Sequence, residues 1–318
     1  MKLAIQWLTL LAAMSTSCMV ARAETVLPLR GDIIVMNTLS TPQLYGPSTM
    51  GFHHGLDLLA ETGTAIYAPV SGTVAMRNYY PRANTPYTYE VSIQTEAGYR
   101  WEFHHIDETT IPDAVRQLAQ TGGEVEAGTF LGGVFDATVV DVVPHLHINV
   151  LDPEGYYVNP RQFLPEISDE ISPTIRGIYV VNEQGDVVVN PSSGEYELVI
   201  DVVDEIAPST MDQSIYRLEI TTQSGEETTA WQHVFDQLPV PEDFISGATD
   251  IYRAEPITLP DGSILANQFF PDQPRRFLHR MPIALPAGTT LIQVTAADFS
   301  GNEDQSTLTV RGEMEDDL

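Results

Sequence analysis

The sequence predicts an all-β protein, mainly antiparallel, and three observations carry that prediction. Short runs alternate apolar and polar residues with period two, as in EYELVIDVV, where Tyr196, Leu198, Ile200 and Val202 share a face. Turn residues break these runs throughout, with 22 glycines and 22 prolines among 318 residues. A helical pattern is convincing only over PDAVRQLAQ (112–120), which is too short to define a layer.

The elements follow in chain order. Residues 1–23 begin with a lysine, continue as an apolar run and end in Ala21-Arg22-Ala23, the form of a secretory signal cleaved after Ala23. The run is short for a membrane span, and no later segment is longer, so export without stable membrane insertion is expected, to the periplasm or the outside. Cys18 lies within this signal, and Ser15-Thr16-Ser17 before it lack the apolar residue of a lipidation site. The processed chain therefore has no cysteine, and its stability must come from a core or a metal.

GTAIYAPVSGTVAMRNYY (63–80) reads as two strands around a Pro-Val-Ser-Gly turn. YEVSIQTEAGYRWEFHHI (89–106) reads as a hairpin setting Val91 and Ile93 against Tyr99, Trp101 and Phe103. PEISDEISP (165–173), acidic and bracketed by prolines, marks a boundary, giving one domain over 24–165 and a second over 166–318. In the second, IYVVNEQGDVVVN (178–190) reads as a hairpin, IYRLEITTQSGEE places Tyr216, Leu218 and Ile220 on one face, and 290–310 closes as a hairpin over Ser300-Gly301. Short strands at regular spacing predict an immunoglobulin-like β-sandwich there, with EMEDDL as a disordered tail.

Charge excludes some partners. Removing residues 1–23 takes away Lys2 and Arg22 and leaves 13 basic against 44 acidic side chains, a formal −31. Such a field repels nucleic acid and anionic membrane surfaces. Charge argues for no partner, and the expected state is a monomer.

Six of the eight histidines lie between 53 and 147. In PHLHINV, His145 and His147 are two apart, so in a strand they point to the same side. In GFHHGLDLLA, His53 and Asp57 share parity and His54 opposes them. His53, Asp57 and His147 make a two-histidine, one-carboxylate set, which suits Zn²⁺ with one position open for water. Of the adjacent His104 and His105 only one can face such a site. Shared parity with Trp101 and Phe103 favours His105. His54 and His104 are expected to be exposed or to tune the site, and His233 and His279 to be structural or at the surface.

These residues carry a resemblance to the LytM/lysostaphin-type zinc endopeptidases, peptidase family M23. The family's H-x-G-x-D is matched by His53-His54-Gly55-Leu56-Asp57, followed by Gly63-Thr64-Ala65-Ile66-Tyr67-Ala68 and Gly72-Thr73-Val74. Its aromatic-x-His-Leu is similar to Phe103-His104-His105-Ile106, its glycine-spaced stretch to 122–132, its H-L-H to His145-Leu146-His147 and its N-P to Asn159-Pro160. Several motifs in order over about 40–165 make the resemblance specific.

The resemblance implies one zinc held by His53, Asp57 and His147, with His105 and His145 as catalytic histidines beside the open position. Zinc lowers the pKa of a bound water towards about 7 and polarises a carbonyl. One histidine would act as base and the other would stabilise the oxyanion, with the order between them open. Peptidoglycan stem peptides or cross-links are the implied substrate; the alternatives are a Gly-rich extracellular protein or a non-catalytic wall-binding or regulatory module. Three departures point to a remodelled groove. Tyr45-Gly46 is followed by Pro47 where relatives carry Arg, FDATVVDVVP (135–144) replaces a Thr/Ser-Gly loop, and Ile148-Asn149 replaces Phe-Glu.

Overall fold

The structure is a computed structural model that describes residues 25–45, 48–78, 89–140, 142–209, 211–267 and 276–312. The expected signal with Cys18, the departure at Gly46-Pro47 and the acidic tail lie outside the described residues. Mainly antiparallel β-structure dominates the rest. Among the described residues, no helix is long and apolar enough to cross a membrane.

Strands between residues 35 and 158 build a large antiparallel sheet. Its order is Val35–Asn37, Leu56–Leu59, His145–Leu151, Arg100–His104, Tyr89–Gln94, Gly72–Asn78 and Glu124–Val125, with Tyr157–Val158 beside His145–Leu151. Alternation sorts its two faces. Leu56, Leu58, Leu146, Ile148, Val150, Trp101, Phe103, Val91 and Ile93 enter one core, closed by Ile66, Leu131 and Val134 and by Val115 of the helix Asp113–Thr121. Ile66, Leu131 and Val134 belong to a three-stranded sheet of Ala65–Tyr67, Phe130–Val134 and Ile106–Asp107. The two strands read around the Pro-Val-Ser-Gly turn, Ala65–Tyr67 and Gly72–Asn78, do not pair with each other but join different sheets.

The opposite face of the large sheet is polar, and its register sets out a row. Asn37 pairs with Asp57, Asp57 with His147, His147 with His104, His104 with Glu90, and Glu90 with Arg77. A second row beside it runs Asn149, Glu102, Ser92 and Ala75. Titratable groups from separate strands thus lie shoulder to shoulder, because neighbouring strands run about 4.8 Å apart.

Beyond residue 173 seven long strands form two sheets. Thr174–Val181 and Leu278–Leu285 flank Gly194–Glu205, and the other sheet runs Glu227–Val234, Arg217–Ser224, Gly288–Ala297 and Glu303–Gly312. Leu198, Ile200, Val202, Ile283 and Leu285 of the first sheet share a core with Leu218, Ile220, Ile292, Val294 and Val310 of the second. The hairpin expected over 178–190 is reduced to one bridge, Val181 to Val187, and the strand that pairs along Thr174–Val181 is Gly194–Glu205. Its 12 residues bury more apolar surface than 186–190 can, since Val189 is exposed.

The two sheet systems do not stand apart. Leu39, Met50, Phe52, Leu151 and Tyr157 pack in one cluster with Val203, Phe235, Leu238, Ala248, Tyr252 and Phe277.

Candidate active site

Three donor atoms converge at the end of the polar row. His53 Nε2 is 3.0 Å from His147 Nδ1 and 3.1 Å from Asp57 Oδ1, and His147 Nδ1 is 2.7 Å from the same carboxylate oxygen. All three side chains are buried. A four-coordinate zinc with bonds near 2.0–2.1 Å needs donors roughly 3.3 Å apart, so the set fits the ion with an outward adjustment of a few tenths of an ångström.

The far side of each imidazole fixes which nitrogen faces this point. His53 Nδ1 lies 2.8 Å from the Thr38 carbonyl oxygen, which can only accept, so Nδ1 donates and Nε2 keeps its lone pair. His147 Nε2 is 2.6 Å from Asn149 Oδ1 and donates to it, which turns the Nδ1 lone pair to Asp57. Asn149 is held in turn, donating from Nδ2 to Glu102 Oε2 at 3.1 Å. Arg77 and Arg100 each donate to Glu102 Oε1 at 2.8 Å. Partners of this kind set the tautomer and orientation of metal-binding histidines.

Burial pushes the Asp57 carboxyl up, but the neighbouring imidazoles of His53 and His147 outweigh it and hold it well below the usual carboxylate range. Burial lowers His147 to about 4 against the opposing pull of Asp57, so its imidazole is neutral near pH 7 and can offer a lone pair. Glu102 is buried as well, yet hydrogen bonds from His104 and Asn149 and the charge of Arg100 bring it to about 2. Glu90, desolvated and beside Glu102, is raised.

His53, Asp57, His105, His145 and His147 line one cavity of about 410 Å³, together with His54 and His104. His145 Nδ1 donates to the Val143 carbonyl oxygen at 2.7 Å, which leaves Nε2 facing Asp57 Oδ1 at 3.7 Å. The His105 ring meets the His145 ring edge-on at 4.7 Å and lies 6.0 Å from that of His147.

The reason His105 is here differs from strand parity. Continued as a strand, it would follow Trp101 and Phe103 into the core. The strand instead stops at His104, and His105 adopts φ +62°, a left-handed conformation rare outside glycine, which swings its ring to the polar face. His53 and Asp57 likewise do not share a strand, since one strand ends at Phe52 and the next begins at Leu56. Gly55 makes that bend possible: a Cβ there would lie 2.2 Å from the Ile148 carbonyl oxygen and 2.5 Å from Asn149 Oδ1.

Other expectations are narrowed, and one is corrected. His54 and His104 are buried. The His54 ring stacks on Phe244 at 4.4 Å and 15°, and its Nδ1 lies 3.2 Å from the Tyr45 hydroxyl. Ile148 and Asn149 are fully buried, one in the core and one behind His147, so this departure does not line a groove. The 135–144 departure does, through Val142 at the cavity, and Val139 and Val143 of the same stretch are exposed. His279 is buried in the second sheet system. Glu102, Glu90 and Arg77 went unnoticed in the sequence, and Asn149 registers there only as a departure in the groove. The available signal was parity, because Glu102 matches His104 and Asn149 matches His147 on their strands.

The sequence model of Peptidase family M23 matches residues 51–160, which contain His53, Asp57, His105, His145 and His147. That match covers about a third of the chain and is to an M23 peptidase domain. No curated protein sequence matches the chain. Among solved structures, similarity is found to a chain of the SpoIIQ-SpoIIIAH pore forming complex, at 14% identity and TM-score 0.34 over 45% of this chain and 92% of that one. A structure assigned to peptidase M23 from Pseudomonas aeruginosa is similar at 23% identity and TM-score 0.26, over 40% of this chain and 44% of that chain. Neither likeness extends to function. A match to this family implies a metallopeptidase, and the His53, Asp57 and His147 group is the candidate metal site.

Proposed function

We propose that this chain is an exported zinc metalloendopeptidase that hydrolyses peptide bonds in peptidoglycan stem peptides or cross-links. The observation that carries the reading is the convergence of the His53, Asp57 and His147 donor atoms beside the His105 and His145 rings. His53, Asp57 and His147 would hold one zinc. When bound, zinc supplies Lewis-acid activation of water and of the scissile carbonyl.

The chain's own groups do the remaining work. With Nδ1 committed to the Val143 carbonyl, His145 has its Nε2 lone pair directed into the cavity and suits the role of base. His105 then takes the part of oxyanion donor, its ring set by the left-handed backbone. Thr38, Asn149 and Glu102 hold the ligand imidazoles and move no proton. A boundary near residue 165 is part of the proposal, with 166–318 as an immunoglobulin-like module. First, second and fifth long strands in one sheet, and third, fourth, sixth and seventh in the other, support that arrangement.

The test is zinc-loaded protein incubated with isolated peptidoglycan, the released peptides being identified by mass spectrometry. Defined peptide fragments are expected, and none after chelation. Cleavage of a Gly-rich protein but not of peptidoglycan would transfer the same chemistry to the other substrate. Hydrolysis of neither would reduce the chain to a binding module.

A further inference from the structure

A second buried group of acids lies away from the candidate active site, at the junction of the two sheet systems. Asp169 belongs to the connecting stretch 165–173, Asp204 to the end of Gly194–Glu205, and Asp298 to the turn after Gly288–Ala297. One carboxylate oxygen from each lies within 4.8 Å of the others, and the three residues are 8%, 2% and 1% exposed. We propose that Asp169, Asp204 and Asp298 bind a hard divalent cation of the calcium class, which fastens the connecting stretch to the second sheet system.

An independent observation is the state of the oxygens. Asp204 Oδ1 and Asp169 Oδ2 are buried without any hydrogen-bond partner. Buried polar atoms are rarely left so, and leaving a charged one unpaired costs several kcal/mol as an order of magnitude. Asp298 is the preorganised member: its Oδ1 accepts from Gly301 N at 2.6 Å and Asn302 N at 2.9 Å. Asn302 Nδ2 bridges it to the Asp169 carbonyl oxygen at 3.0 Å, so the turn and the connecting stretch are already joined.

Charge points to a divalent ion. The nearby cation is Arg161, buried, whose guanidinium donates to the Ile167 carbonyl and the Ser300 hydroxyl at 3.2 Å and sits in the field of all three carboxylates. With all three ionised, as cation binding requires, three carboxylates against one guanidinium would leave −2, a charge that a divalent ion balances. Burial first, then the charges of Asp298 and Asp169, push the Asp204 carboxyl up to about 8, the cost of bringing these groups together with no further positive charge. An all-oxygen donor set with no imidazole or thiolate selects calcium, magnesium or manganese over zinc, and a flexible set of carboxylates favours calcium.

The experiment titrates full-length, zinc-loaded protein with CaCl2 and, separately, MgCl2, by calorimetry and thermal unfolding. One calcium site above the diffuse background of the acidic surface is expected, with a Tm rise of several degrees. Asp204→Asn and Asp169→Asn should each weaken it at least tenfold, whereas the exposed Asp261→Asn should leave it unchanged. Asp169→Asn keeps an oxygen for the Ile171 N–H that Asp169 Oδ1 now accepts, so it serves if Asp204→Asn fails to fold. Equal calcium binding by wild type and Asp169→Asn, no saturable calcium site in wild type, or preference for magnesium would each overturn the proposal.

Discussion

The imidazole of His147 works through both of its nitrogens, and the two are not equally visible in a sequence. Its candidate ligand side was suggested by H-L-H, as the member of the metal set from a distant strand. Its far side was not, because Asn149 reads in the sequence as a groove departure, whereas it sits buried behind His147 and accepts from its Nε2. Asn149→Ala should weaken zinc about 10- to 100-fold, the usual cost of losing such a partner, with the fold retained. Asn149→Asp should restore most of the affinity in a zinc-competition titration; equal zinc affinity in Asn149→Ala would show that the bond to His147 Nε2 does not position the ligand. A separate comparison divides ligands from catalysts. His147→Ala should strip the metal, whereas His105→Ala and His145→Ala should keep it and lower turnover by orders of magnitude. Full metal occupancy in His147→Ala, measured by elemental analysis, would overturn the ligand set. His104→Ala and His54→Ala should retain more activity than His105→Ala, but both now carry a stability cost of roughly 1–3 kcal/mol because both side chains are buried.

At the scale of strands, period-two alternation found most of the elements but not their partners. EYELVIDVV predicts its buried face correctly, with Leu198, Ile200 and Val202 in the core. The same rule failed at His105, where one left-handed residue ends the alternation, and at 186–190, where a β-branched run lost to a longer strand. Local pattern gives the period; pairing depends on which apolar faces can be buried together. His279, on the strand Leu278–Leu285, shows what such burial costs. Both of its ring nitrogens lack partners, and it packs against Tyr252 at 4.6 Å and lies in the field of His233. Burial chiefly lowers it to about 3. The unfolded chain, with a histidine near 6.5, therefore takes up the proton first as the pH falls. This contribution to stability is complete above about pH 6.5 and is lost progressively down to about pH 3, on the order of several kcal/mol. In the zinc-loaded protein, His279→Phe should flatten the fall in unfolding free energy between pH 6 and 4. An unchanged slope in denaturant titrations would mean that His279 is not buried as a neutral ring.

For the whole molecule, the chemistry-bearing residues all lie before 165, which makes a chain ending at Pro165 look sufficient. Apolar packing argues otherwise. Leu39, Met50, Phe52, Leu151 and Tyr157 bury their side chains in a cluster completed by Val203, Phe235, Leu238, Ala248, Tyr252 and Phe277 from the other sheet system. At roughly 1.5–3 kcal/mol for each large apolar side chain, exposing those five costs about 7–15 kcal/mol as an upper estimate. That equals the entire stability of a typical domain, about 5–15 kcal/mol. Phe244 adds a direct link, since it stacks on His54, the neighbour of the candidate ligand His53. The proline-bracketed stretch therefore marks a change of sheet system in the sequence, while the folded unit extends past it. A chain ending at Pro165 should be insoluble or unfold well below the full-length protein, and should bind zinc weakly for that reason. In the full chain, Phe244→Ala should stay folded, lower zinc affinity several-fold and reduce cleavage of a short soluble peptide. Thermal unfolding and zinc titration of both proteins check this. A truncated chain that folds with full-length stability, binds zinc equally and cleaves the peptide would show that the shared cluster is dispensable, and that the second sheet system acts only outside the active site.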